Sequence, residues 1–100
     1  MHTPFSFLIE RLIVSVRLLP VPTVFVQSGY RVSFYSYDLA ERIHVHVFKA
    51  GHECKVWLDD FTVAFNRGFK PKEIAEIRRM VMERRGEIVE RWLEHGRSAS

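Results

Sequence analysis

Cysteine is nearly absent: Cys54 is the single thiol in 100 residues. One thiol closes no intrachain disulfide and builds no Cys-based zinc site. That scarcity points to a reducing compartment, the cytosol. Long hydrophobic runs are also lacking. The most apolar stretch, MHTPFSFLIERLIVSVRLLP, is interrupted by Glu10, Arg11 and Arg17. No run reaches the roughly 18–20 residues that a bilayer span requires, so no membrane association is expected. The stretch has no Lys or Arg ahead of its apolar part and no small-x-small site after it, so it does not read as a secretory leader. Neither sign of charge dominates. Fifteen Lys and Arg stand against twelve Asp and Glu, a formal charge of +3. A mildly basic balance permits an RNA, phosphate or acidic-protein partner and requires none of them. Repeats, low-complexity tracts and internal linkers are missing too, which leaves a single domain.

What is present is a chain 47% apolar and 13% aromatic, enough to bury a modest core. The positive excess lies at the C-terminal end. Residues 66–100 hold nine Lys and Arg against six Asp and Glu, while residues 21–65 hold four against five.

The first twenty residues stand apart. Phe5, Leu8, Ile9, Leu12, Ile13 and Val16 recur at helical spacing, and Pro20 and Pro22 end the pattern. Two readings stay open: a surface amphipathic extension, or translation that begins at Val21. Mass spectrometry of the native N-terminus separates them. The chain divides accordingly into an extension (1–20), one domain (21–97) and a short tail (98–100).

Within the domain, Thr23–Gln27 reads as a strand, and Ser28-Gly29 as a turn. Further strands are expected at Tyr30–Tyr37, Ile43–Lys49 and His52–Leu58, with a short fifth at Phe61–Phe65. Ala50-Gly51 is the turn between the third and fourth. Asn66-Arg67-Gly68-Phe69 reads as a loop. A long helix follows from Pro71 to His95, with Pro71 at its first position and Glu73 in its first turn. Ile74, Ile77, Val81, Ile88 and Trp92 form its apolar stripe. Gly86 is a point where it can bend, and Gly96 a stop. Its glutamates read as a solvated face with local ion pairs. The fold class is α+β: a small antiparallel sheet of four to five strands with a long C-terminal helix packed on one face. Nothing in residues 21–100 is expected to cover the other face.

The hairpin ERIHVHVFKAGHECKVWL is the most informative stretch. A two-residue loop at Ala50-Gly51 sets Lys49 against His52, Phe48 against Glu53, Val47 against Cys54, His46 against Lys55, Val45 against Val56 and His44 against Trp57. Alternation then sorts the faces. Ile43, Val45, Val47, Cys54, Val56 and Leu58 share an apolar side that must be the core. His44, His46, Phe48, Glu53, Lys55 and Trp57 share the other. A slip of one residue on either strand would oppose apolar to polar along the whole hairpin.

Directly opposed side chains lie about 4.5–5.5 Å apart at Cβ. In such company an imidazole can move protons near neutral pH, so His44, His46, Glu53 and Lys55 are the candidate catalytic set. Trp57, Phe48, Asn66 and Arg67 are the candidate binding set: rings for a base or a partner's groove, and Arg67 with Lys55 for a phosphate. An exposed sheet face also tolerates such residues without any function. Metal is a weaker option. His-x-His supplies two ligands on one face, but a third must come from Glu53 or His52. No cofactor is called for. Cys54 reads as a small buried hydrophobe, and His52 and His95 as solvated.

The segments PTVFVQSGYRVSFYSYDLAERIHVHV, ECKVWLDD, NRGF and ERWLEHG together resemble a small bacterial family of domains of unknown function, family 4160, over about residues 21–96. The chain departs from the family pattern at Arg42-Ile43, where Pro-Pro is usual, and at Arg84-Arg85-Gly86, where His-Arg-Asp is frequent. The resemblance implies a small protein encoded beside another small uncharacterised one, an arrangement similar to a toxin–antitoxin module. Two functions follow as expectations. One is a component acting on RNA through the His/Glu/Lys face, as a metal-independent ribonuclease. The other is a non-catalytic module whose sheet face binds a cognate small protein or a second copy of itself.

Overall fold

The β-branched and aromatic residues between Thr23 and Arg67 alternate closely enough to build one antiparallel sheet. The computed structural model describes residues 23–35 and 40–99. The expectations for residues 1–22, including the amphipathic segment and the start at Val21, lie outside the described residues. The strand expected over Tyr30–Tyr37 stops at Ser33, with Phe34 and Tyr35 already outside it, and the last two expected positions lie outside the described residues. The strands are β1 (Thr23–Gln27), β2 (Tyr30–Ser33), β3 (His44–Lys49), β4 (His52–Trp57) and β5 (Val63–Arg67). Each pairs with its sequence neighbour, in the order β1-β2-β3-β4-β5, so the sheet is a meander.

Two tight turns hold its first and third corners. Ser28 and Gly29 have φ of 53° and 83°, and Ala50 and Gly51 have 52° and 81°. Positive φ at both central residues is the type I′ arrangement, whose twist matches the flanking strands. The β3–β4 register is the expected one throughout, from Lys49↔His52 to His44↔Trp57. The fifth strand begins two residues later than expected. Asp60 Oδ1 accepts hydrogen bonds from both the backbone N–H and the hydroxyl of Thr62, which keeps the chain turning up to that point. Asn66 and Arg67, expected in a loop, therefore belong to β5.

Beyond the sheet, the expected single helix is two: α1 (Pro71–Glu83) and α2 (Arg85–Ala99). Pro71 opens α1, and the Glu73 carboxylate accepts from the backbone N–H of Lys70. The break falls at Arg84, with φ −110° and ψ 22°, rather than at Gly86. Gly86 has open space around it and no positive φ. Gly96 does not end the helix, which runs on to Ala99.

The break lets both helices use one stripe against the sheet. Ile77, Met80, Val81, Ile88 and Trp92 are buried with Val32, Val45, Val47, Cys54, Val56 and Leu58 in the core. Arginines lock the arrangement. The Arg84 guanidinium lies 3.5 Å from the centre of the Phe25 ring, while Arg85 donates to the carbonyl of Leu58 and Arg78 to that of Phe61. The expected solvated glutamate face is partly structural as well: Glu76 accepts from the Tyr30 hydroxyl at 2.7 Å, and Glu87 pairs with Arg84 at 2.8 Å.

Candidate functional site

Strand parity determines which side chains can meet on the face opposite the core stripe. The pairings give two rows that cross all five strands. One runs Val26, Arg31, Phe48, Glu53, Arg67; the next runs Thr23, Ser33, His46, Lys55, Phe65. His44 and Trp57 begin a third. Two irregularities shape them. The shift in β5 sets Val63 against Val56 on the core side but Phe65 against Lys55 on the second face. A regular strand would put Val63 and Phe65 on one side, so the bulge re-aims the phenyl ring. A similar shift in β1 sends Phe25 to the core while Thr23 joins the polar row.

The expected set therefore does share a face, but that face is not open as expected. His44 is fully buried and His46 is 7% exposed. The His44 Nδ1–H donates to the carbonyl of Arg42 at 2.8 Å. Its ring packs edge-on to Trp57 at 5.5 Å, to Trp92 at 5.4 Å and to His46 at 5.1 Å. The His46 Nδ1–H donates to Glu53 Oε2 at 3.0 Å, with the rings of Tyr35, Phe48 and Phe65 around it. Ser33 Oγ, cross-strand from His46, is buried and makes no hydrogen bond among the described residues. His46 is hydrogen-bonded to Glu53, and no hydrogen bond links it to Ser33 among the described residues. His44 has no solvent-exposed surface from which to exchange a proton with a substrate, and His46 has little.

The cations of this face are seated on its rings. Arg42 lies 4.4 Å from the centre of Trp57 and Lys55 4.7 Å; Arg67 lies 4.7 Å from Phe65, and Arg31 5.2 Å from Phe48. Three of the four also have a carboxylate. Arg42 forks onto Asp59 at 2.6 and 2.7 Å and reaches Asp60 at 3.3 Å. Lys55 donates to Glu41 at 2.9 Å, and Arg67 lies 3.8 Å from Glu53. The hydrogen bond from Arg42 holds the Asp59 carboxyl below its usual range. Arg31 has no ion pair among the described residues.

Asn66, placed in the binding set, closes the β5–α1 loop instead. Its amide donates to the carbonyl of Phe69 at 2.9 Å, and its carbonyl oxygen accepts from the Phe69 N–H at 3.0 Å. Cys54 is buried on the core side, and that burial pushes its thiol up to about 12. His52, expected in solvent, lies edge-on to Phe69 at 5.5 Å, and His95 lies against Phe34 at 5.7 Å. Among the described residues, no three His, Cys, Asp or Glu side chains converge as metal ligands. No helix among them is long and apolar enough to cross a membrane.

Sequence reasoning missed Arg31, Glu41, Arg42 and Phe65. Extending the alternation from Val32 to Arg31 was enough to find the first. The β5 bulge hid Phe65, and Glu41 and Arg42 reach the face from a segment with no periodicity.

No curated protein and no solved structure matches the chain. The family model for a domain of unknown function, DUF4160, matches residues 29–93, more than half of the chain and all of β2 to α1. The chain belongs to the DUF4160 family.

Proposed function

We propose that the protein is the non-catalytic binding member of a toxin–antitoxin-like pair, and that it docks a small cognate protein on its second sheet face. One observation carries this reading. Three of that face's four cations are each seated on an aromatic ring and also matched to a carboxylate. Such a surface is close to charge-neutral and rich in Trp, Phe and Arg, the residue types that dominate the energetics of protein interfaces. A polyanion would have to pull these cations from their carboxylates, and a base would have to displace them from the ring faces on which it stacks. A protein partner with alternating charges keeps both. Burial of His44 and His46 beneath the rings suits a rigid platform better than an acid–base pair open to substrate.

The test is calorimetric titration of the full chain with the protein encoded beside it, for wild type and Trp57→Ala. Loss of a central aromatic anchor is expected to cost about 2 kcal/mol or more of binding. Thermal unfolding of the variant monitors its integrity. Unchanged affinity in a folded Trp57→Ala protein, or RNA cleavage by the purified chain that His46→Ala abolishes, overturns the proposal. Association of the chain with itself through Trp57 replaces the cognate partner with a second copy.

A further inference from the structure

The two helices carry a second apolar line besides the stripe they bury. Met82, Gly86, Val89 and Leu93 follow one another at steps of four, three and four, the spacing of a coiled-coil seam. The break at Arg84 leaves the buried stripe in phase, so these four also share one side of α1 and α2. That side is turned out of the core. Met82 is 44% exposed and Leu93 54%; Gly86 is exposed and Val89 half-buried.

Gly86 has no intrachain reason to be glycine. It weakens a helix relative to Ala, yet it has no positive φ, does not make the break, and a Cβ there would meet nothing within 4 Å. In a seam, a missing side chain is a hole for a knob from a second helix.

The charges beside the line favour one partner. Arg78 and Arg85 flank it on the sheet side, and Glu83 and Glu90 on the solvent side. Each arginine donates its Nε to a carbonyl, of Phe61 and of Leu58, which leaves its terminal nitrogens for another acceptor. Both glutamates are exposed and have no ion pair among the described residues. When two such helices lie parallel, each flanking arginine meets the residue five positions on in the other chain. Arg78 then meets Glu83 of the second copy and Arg85 its Glu90, and a two-fold axis makes each contact twice. Antiparallel helices would instead set glutamate near glutamate and arginine near arginine.

We infer that this line is a homodimer interface, in which two copies pair their helices in parallel through Met82, Gly86, Val89 and Leu93. Arg79, one turn before Met82 and exposed, ends the seam, because two guanidinium groups would oppose each other there. A seam this short belongs with interfaces under about 1,200 Å², so a dissociation constant on the order of micromolar is expected. The inference is independent of the docking reading, since the helices lie on the core side of the sheet and leave the Trp57 face untouched.

Sedimentation equilibrium of the full chain across the micromolar range tests it, with a shift from monomer to dimer expected. Gly86→Glu fills open space, favours the first turn of α2, and is expected to raise the thermal midpoint while abolishing the dimer. Glu90→Arg sets like charges at both symmetric contacts and is expected to weaken association severalfold. Parallel pairing opposes the two copies of position 93, so Leu93→Cys is expected to link the copies when oxidised with diamide. Ala64→Cys, exposed on β5, is not, and the buried Cys54 does not compete. A chain that stays monomeric, a dimer indifferent to Gly86→Glu or Glu90→Arg, or a Leu93→Cys protein that links no better than Ala64→Cys overturns the inference. Trp57→Ala is expected to leave the dimer in place; its loss in that variant would move self-association to the sheet face and overturn the inference as well.

Discussion

Tyr30 and Cys54 show how burial sets chemistry one residue at a time. Burial, then the hydrogen bond to Glu76, raises the Tyr30 hydroxyl from 10.0 to about 12; burial raises the Cys54 thiol from 9.0 to about 12. Below about pH 8 both groups are protonated in the folded and the unfolded chain. Above it the unfolded chain releases its protons first, so it binds fewer of them than the folded one. Stability is therefore expected to fall from about pH 9 towards pH 12, read as a declining urea midpoint. Tyr30→Phe should flatten part of that slope, and a midpoint constant across the range contradicts the assignment. The sequence made Cys54 legible as a core residue, because its parity matches that of Val56 and Leu58. It gave no sign that His52 is clamped, because the clamp is made by a missing side chain at Gly68, sixteen positions on, where a Cβ would overlap the imidazole.

At the scale of the element, the hairpin was the part most open to sequence reasoning. Apolar residues alternate on both its strands, and only one register puts both sets on the same side. Its turn still carries a misfit. Ala50 sits at φ 52°, a conformation that disfavours residues with a Cβ, although Asn tolerates it. Ala50→Asn is expected to stabilise the protein by roughly 0.5–1 kcal/mol, measured by chemical denaturation. A loss of stability would mean that the Ala50 methyl makes contacts that outweigh its backbone strain. The helix was less legible. Periodicity correctly placed Ile77, Val81, Ile88 and Trp92 on the buried stripe. It does not register a break that keeps the stripe in phase, and Arg84 is held by Phe25, Gln27 and Glu87, partners that include a strand 57 residues away. The Arg84-Arg85 pair thus acts here as a fastener between helix and sheet.

For the whole molecule, the meander converts strand alternation into two chemically distinct sides. The fold class could be read because every connection joins neighbours, so local pairing already determines the sheet. The state of the second side could not. Whether His44 and His46 are open or covered depends on rings from Tyr35, Phe65 and Trp92, which pattern alone does not bring together. Val26, 63% exposed, extends this side to the β1 edge and adds apolar area beside Arg31.

The central claim is that a partner protein docks on the side bearing Trp57. The chain has two tryptophans, one on each side of that question: Trp57 on the second face and Trp92 buried on the helix stripe. Nitrogen-15 NMR of their two indole N–H signals, followed while the proposed cognate protein is added, is the most direct measurement. The account predicts that the Trp57 signal shifts or broadens more than that of Trp92, which is separated from it by the His44 ring. A complex in which the Trp57 signal is unmoved contradicts it.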